Sequence, residues 1–122
     1  MKLKIYFFLI AAIIFSISHV SASVKINYGY SEIFSRDDMD SAIEIITKNF
    51  SEVKNIRYTE DDYCNTEKNI EWMNRLAKKR GLNIKFNQCI AFFSDYKSSK
   101  EIWTWYFARI KGDDWHLMSF GY

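Results

Sequence analysis

The chain of 122 residues contains no proline, only four glycines, two cysteines and two histidines. The scarcity of proline and glycine excludes collagen-like and linker-type sequences, and 48% hydrophobic residues favour a packed globular core. With only His19 and His116 present, a zinc site built from several histidines is excluded. The commonest hydrolase, nucleotide-binding and redox motifs are also missing, so we expect no metal site and no cofactor.

The N-terminus has the organisation of a secretory signal peptide. Two lysines within the first four residues precede an apolar run from Ile5 to Ile17, and small residues follow up to Ala22. The run is shorter than the roughly 20 residues that cross a bilayer, which makes an uncleaved anchor the weaker alternative. We therefore expect a signal peptide at 1–22, cleavage between Ala22 and Ser23, and one secreted domain at 23–122 without a membrane span.

The predicted mature chain carries no excess of charge. The whole chain has 17 basic and 15 acidic residues, and the signal peptide removes Lys2 and Lys4 but no acidic residue. A neutral chain lacks the basic surface that phosphate backbones require, so nucleic-acid binding is not expected.

The two cysteines, Cys64 and Cys89, are an even number in a chain expected to be secreted. Oxidising compartments favour disulfide formation, which predicts a bridge between them. Two buried free thiols are the alternative, because the spacing does not show how close the two Cα atoms lie.

The pattern of the mature chain predicts an α+β fold. Ser35 and Asp38 resemble a capping box, and the stripe from Met39 to Phe50 has helical spacing. A second helix is expected from Asn65 or Thr66 to Gly81. Strands are predicted over Asn55–Tyr63, Leu82–Phe86, Cys89–Phe93, Glu101–Ile110 and Trp115–Tyr122, and Ser23–Phe34 is a leading segment or short strand. Two helices would pack on a curved antiparallel sheet in the order helix, strand, helix, three-stranded meander.

The last two predicted strands form a hairpin with two apolar faces. A two-residue turn at Gly112-Asp113 pairs Trp105 with Phe120 and Phe107 with Met118. One face then carries Trp103, Trp105, Phe107, Met118, Phe120 and Tyr122, and the other carries Tyr106, Ala108, Ile110, Trp115 and Leu117. The helices would cover one face, which leaves a pocket, a partner subunit or the N-terminal segment to cover the second. We predict the first face as a ligand or interface surface, with plain core packing as the alternative.

Five short aromatic segments give the chain a resemblance to a known family. They are Tyr30–Ser35, Ile56–Tyr58, Ala91–Tyr96, Trp103–Phe107 and Phe120–Tyr122. In these segments and in element order the chain resembles small secreted bacterial proteins of unknown function within the nuclear-transport-factor-two-like superfamily. It departs from them at Phe120, where tryptophan is common. The resemblance implies a cone formed by a curved sheet around helices, often with a pocket and often dimeric, and it implies no particular activity.

Two side chains are the candidates for acid–base chemistry. His116 is the histidine that remains after signal cleavage, and Asp95 follows an apolar strand. Either would need an apolar pocket that moves its pKa towards the working pH, with Tyr58 or Tyr106 as a hydrogen-bond donor. The predicted register places His116 opposite Arg109 near the turn, so a surface position is the alternative.

These features predict a non-enzymatic binding or interaction module. Its partner would be a protein or a small apolar ligand, and a homodimer is one arrangement that would cover the aromatic face. An acid–base enzyme of the isomerase or dehydratase type, and a secreted inhibitor or toxin-neutralising protein, are the alternatives.

Overall fold

The computed structural model describes residues 24–122. The signal peptide predicted at 1–22 and its cleavage site between Ala22 and Ser23 lie outside the described residues. The elements are β1 (Ile26–Asn27), α1 (Arg36–Asn49), β2 (Val53–Tyr58), α2 (Asp61–Cys64), α3 (Glu67–Lys79), β3 (Gln88–Tyr96), β4 (Trp103–Arg109) and β5 (His116–Gly121).

The strands form one five-stranded sheet in the order β1-β2-β3-β4-β5. The pair β1–β2 is parallel and the other three pairs are antiparallel, so the sheet is mixed rather than purely antiparallel. Helix α1 packs on one face, whereas α2 and α3 pack on the other. The α+β class is confirmed. The sequence did not identify what covers the second face of the sheet, and in the structure helices cover that face as well.

The capping box predicted for α1 is present. The Ser35 hydroxyl accepts the Asp38 N–H at 3.1 Å, and the Asp38 carboxylate accepts the Ser35 N–H at 2.9 Å. These bonds satisfy two backbone donors that would otherwise have no partner at the helix start. The buried stripe of α1 consists of Met39, Ala42, Ile43 and Ile46. It packs against the sheet in the first core, which includes Ile56, Phe92, Trp105, Phe107 and Trp115.

Strand β2 starts and ends earlier than the predicted Asn55–Tyr63. Asn55 has a left-handed φ of 51°, and the pairing with β3 shifts between Lys54 and Arg57. This bulge puts Val53 and Ile56 on the buried face although they are three residues apart. Simple alternation therefore could not locate the strand.

The second core lies under α2 and α3 and contains the disulfide. Cys64 and Cys89 are bonded with their Cα atoms 5.5 Å apart, which confirms the predicted bridge. The buried members of this core are Cys64, Met73, Ala77, Phe86, Cys89, Ala91, Ala108 and Met118. Thr66 caps α3 by accepting the Asn69 N–H at 3.2 Å, as expected for that position.

The predicted strand at Leu82–Phe86 is not formed. Residues 82–87 are irregular, although Phe86 is buried. The Asn74 side-chain amide accepts the Phe86 N–H at 2.7 Å and donates to the Phe86 carbonyl at 3.1 Å. One side chain of α3 thus satisfies both backbone groups, and no neighbouring strand is needed.

The register of the last hairpin is correct at one end and wrong at the other. Trp105 pairs with Phe120 as predicted, but Phe107 pairs with Leu117 and Ala108 with His116. A bulge at Met118 moves that residue to the second core, so its predicted place on the face with Trp105 is wrong. The connection is also longer than two residues, because β4 ends at Arg109 and β5 begins at His116.

Residues 24–122 contain neither a membrane-spanning helix nor a metal-binding cluster. No helix in this part of the chain is long and apolar enough to cross a membrane. The same residues contain no group of three or more histidine, cysteine or acidic side chains that could hold a metal ion.

Candidate functional site

The six residues predicted for the ligand or interface face lie in three different environments. Trp105 and Phe107 are completely buried in the first core, and Met118 is buried in the second. The remaining three are accessible, with Trp103 half-buried, Phe120 44% exposed and Tyr122 82% exposed. Three of the six predicted residues are therefore core residues, and the other three are accessible at the surface.

The accessible half belongs to a continuous aromatic surface, which we call the aromatic patch. It consists of Phe50, Tyr96, Trp103, Phe120 and Tyr122. The Trp103 ring centroid lies 4.7 Å from that of Tyr96 and 5.3 Å from that of Tyr122. Phe120 stacks on the buried Trp105 at 5.0 Å with an interplanar angle of 12°. Edge-to-face and stacked contacts of this kind favour particular ring orientations.

The elements that position the patch meet at one end of the sheet. Phe50 is the C-cap of α1, Tyr96 ends β3, Trp103 begins β4, and Phe120 and Tyr122 are at the end of β5. Sequence reasoning missed Phe50, which it placed in the helix stripe, and Tyr96, which it placed before a loop. Both residues are aromatic: Phe50 ends the predicted helix stripe, and Tyr96 follows the predicted strand Cys89–Phe93 by three residues.

The indole nitrogens of Trp103 and Trp105 differ in hydrogen bonding. The Trp105 Nε1–H donates to the Ser94 hydroxyl at 2.7 Å. The Trp103 Nε1 is buried and has no hydrogen-bond partner among the described residues. A buried donor without a partner costs free energy, so the Trp103 indole nitrogen is held in the patch region at an energetic cost.

A cleft of about 780 Å³ adjoins the patch, lined by Ser51, Glu52, Lys54, Lys97 and Ser98. Ser51 follows Phe50 directly, and the Lys97 ammonium lies 5.3 Å from the centre of the Tyr96 ring. The cleft thus continues from the aromatic surface. Its lining residues carry two ammonium groups and one carboxylate, an excess of one positive charge.

The candidate acid–base residues are not brought together. Asp95 is exposed at the patch end of β3, where its carboxylate accepts a hydrogen bond of 2.7 Å from the Asn55 amide. His116 pairs with Ala108, not with Arg109 as predicted, and its ring lies 5.5 Å from that of Phe86. Ala108 pairs in turn with Cys89, six positions before Asp95, which separates the two groups by about 20 Å.

The two tyrosines proposed as hydrogen-bond donors are also separated. Tyr58 lies in the first core and donates to Asp61 at 2.6 Å. Tyr106 packs with the second core on the other face, with its hydroxyl 3.3 Å from that of Tyr63. Burial and the neighbouring Tyr63 raise the pKa of Tyr106 to about 12, so it stays protonated at neutral pH.

Asp61 is the centre of a hydrogen-bonded cluster that the sequence did not reveal. Its carboxylate accepts the Ser31 hydroxyl at 2.5 Å, the Tyr58 hydroxyl at 2.6 Å and the Glu32 N–H at 2.9 Å. Burial alone would raise the pKa of Asp61, but these donors outweigh it and hold the pKa below its ordinary value. The cluster anchors the N-terminal segment to α2.

Acid should weaken the fold through this cluster. Because the pKa of Asp61 is lower in the folded chain, its contribution is present at neutral pH and is lost as pH falls below about 4. Urea unfolding at pH 7 and at pH 3 measures the loss. Asp61→Asn should be less stable at pH 7 and should show a smaller fall between the two pH values. An unchanged fall in the variant would contradict the role of Asp61.

Comparison of the chain with protein-family models, with curated proteins and with solved structures gives no match.

Proposed function

We propose that the protein is a secreted, non-enzymatic binding module whose ligand lies on the aromatic patch. The observation that carries the proposal is the exposure of Phe120 and Tyr122 directly over Trp103 and Trp105. Exposed aromatic side chains that pack against other rings offer a large apolar contact area at low entropic cost. Ligand sites commonly combine such a surface with a few polar groups.

The cleft beside the patch suggests the chemistry of the ligand. Lys54 and Lys97 line it together with the single acidic residue Glu52, and hydroxyls come from Ser51 and Ser98. A ligand with an apolar ring or chain on the patch would therefore bind best if it also carried an anionic group near the two lysines. The ligand class that we propose is an apolar anion.

Secretion is part of the same proposal. It is supported by the signal-like pattern of residues 1–22 and by the Cys64–Cys89 disulfide, which is consistent with an oxidising compartment. The relationship to the nuclear-transport-factor-two-like superfamily, with its cone and pocket, likewise stays a proposal based on the sequence segments. An inhibitor or toxin-neutralising protein would use the same exposed aromatic residues, so it differs in partner rather than in site.

Two matched fluorescent probes test the ligand class. Anilinonaphthalene sulfonate carries an anionic group, and N-phenylnaphthylamine has the same ring system without it. We expect the native protein to bind the sulfonate more tightly. Lys54→Met with Lys97→Met should reduce that preference by about threefold to tenfold, because each rim ion contributes up to about 1 kcal/mol. Equal affinity for the two probes in the native protein would contradict the anionic preference.

A matched pair of double variants tests the patch itself. Phe120→Ser with Tyr122→Ser should weaken binding of both probes by tenfold or more, since roughly 2 kcal/mol of apolar contact is removed. Tyr30→Ser with Ile33→Ser is the control, because these residues are exposed by 77% and 44%, close to the values of Tyr122 and Phe120. Equal weakening in both variants, or no binding to the native protein, would refute the site.

A further inference from the structure

The outer edge of β5 is an open strand edge without lysine, arginine or acidic side chains. β5 is the last strand of the sheet, so within residues 24–122 one side of its backbone has no strand partner. Unpaired N–H and C=O groups in a row are a template for another strand. The other edge of the sheet differs, because β1 has only two residues and Lys25 precedes it.

The composition of β5 favours a second copy of the same strand as its partner. Its sequence, His-Leu-Met-Ser-Phe-Gly, contains no lysine, arginine, aspartate, glutamate or proline. Such residues are among the devices by which natural proteins prevent edge pairing. A bulge is another, and in β5 it affects the part of the strand up to Met118. In a self-pairing strand any charge would approach an identical charge across the two-fold axis, and β5 has none of the permanently charged side chains.

We propose that the protein forms a homodimer by antiparallel pairing of β5 with the β5 of a second copy. The two five-stranded sheets become one continuous sheet of twice that number of strands. The bulge at Met118 interrupts the edge, so pairing runs through the Ser119–Gly121 end of the strand. This proposal does not depend on the ligand proposed above.

Symmetry then joins the two aromatic patches. The two-fold axis that relates antiparallel strands is perpendicular to the sheet, so equal faces of the two copies lie on the same side. Phe120 and Tyr122 stand at the paired end of β5, which brings these residues of both copies next to one another. The dimer therefore presents one aromatic surface made from two patches.

The molar mass of the mature protein, measured by light scattering over a range of concentrations, tests the dimer. We expect the native chain to reach the dimer mass as concentration rises. Ser119→Lys should shift the equilibrium to the monomer, because it puts two ammonium groups across the axis. Ser99→Lys adds the same charge in the exposed turn after β3 and should leave the dimer unchanged. A native chain that stays monomeric at every soluble concentration overturns the proposal.

Hydrogen exchange separates edge pairing from other modes of association. In the native protein, amides of Ser119–Gly121 should become more protected as concentration rises, whereas those of β1 should not. This measurement also covers the case in which Ser119→Lys fails to fold. A dimer that is lost in Phe120→Ser with Tyr122→Ser but kept in folded Ser119→Lys would mean that patch contacts, not the strand edge, hold it together. That result would leave the proposed ligand site to be judged by the probe experiment alone.

Discussion

Replacing both cysteines with alanine is expected to lower the free energy of unfolding by about 3.5 kcal/mol. The bridge from Cys64 to Cys89 closes a loop with a sequence separation of 25 residues. Without it the unfolded chain gains the conformational freedom of that loop, while the folded chain keeps most of its contacts. A loss of this size is a large fraction of the stability of a domain of about 100 residues.

The folded state should also lose local order around the bridge. Cys64 ends α2 and Cys89 lies near the start of β3, and both are buried in the second core. The Asn65 side chain accepts the Cys89 N–H at 3.1 Å, so one hydrogen bond remains between the two segments when the sulfurs are gone. We therefore expect α2 to loosen from the sheet without loss of the first core.

Urea unfolding of the native and Cys64→Ala, Cys89→Ala chains measures the effect. The thermal midpoint should fall by about 15 °C or more, given the usual dependence for a domain of this size. The native protein after reduction is the matched control and should unfold at nearly the same urea concentration as the double variant. Unfolding of the double variant at the native midpoint would contradict the prediction.

The parts of the fold that depend on neighbouring residues were predictable from the sequence. The capping box of Ser35 and Asp38 and the buried stripe of α1 require only local geometry and helical periodicity. The Cys64–Cys89 disulfide was predictable because a chain with two cysteines can form only one intramolecular pair. These features were read correctly for that reason.

The strand registers were harder to predict from the sequence because a bulge shifts the alternation of side chains between the two faces of the sheet. The left-handed Asn55 moves the start of β2, and the extra Met118 in β5 exchanges the faces on the turn side of the last hairpin. One inserted residue reverses every later side chain until the register is restored. Whether a bulge forms depends on what each face packs against, which short-range patterns do not contain.

The candidate site was half predictable for the same reason. Trp103, Phe120 and Tyr122 were on the predicted face, and they remain on one surface because the Trp105–Phe120 pair keeps its register. Phe50 and Tyr96 joined them through the packing of α1 and β3 at one end of the sheet. Such contacts between distant segments have no signature in the local sequence.

Arg109 is the second position where a single change should have a large effect. It is 7% exposed, and the sequence had placed it opposite His116 near a solvated turn. It pairs instead with Gln88 on β3, and its Nε–H donates to the Gln88 side-chain oxygen at 2.8 Å. Its guanidinium lies 3.1 Å from the Asp38 carboxylate and 4.1 Å from the centre of the Trp115 ring.

These contacts connect the start of α1 to the end of β4. Asp38 belongs to the capping box of α1, and its backbone carbonyl also accepts the Trp115 Nε1–H at 2.9 Å. Burial alone would raise the pKa of Asp38, but the Ser35 N–H and the Arg109 guanidinium hold it below its ordinary value. The pair therefore stabilises the fold at neutral pH, and this stabilisation is lost as pH falls below about 4.

We expect Arg109→Met to lower the free energy of unfolding by about 3 kcal/mol, because it leaves Asp38 and Gln88 without their buried partner. Arg109→Lys keeps the charge but not the planar fork that reaches both groups, so it should recover only part of this loss.

Urea unfolding of the single variants and of Arg109→Met combined with Asp38→Asn gives the coupling between the two residues. Asp38→Asn should cost less in the Arg109→Met background than in the native one. If the two changes were simply additive, the Arg109 effect would come from its contacts with Gln88 and Trp115 rather than from the ion pair. In that case the stability of Arg109→Met would fall with acid as steeply as that of the native chain.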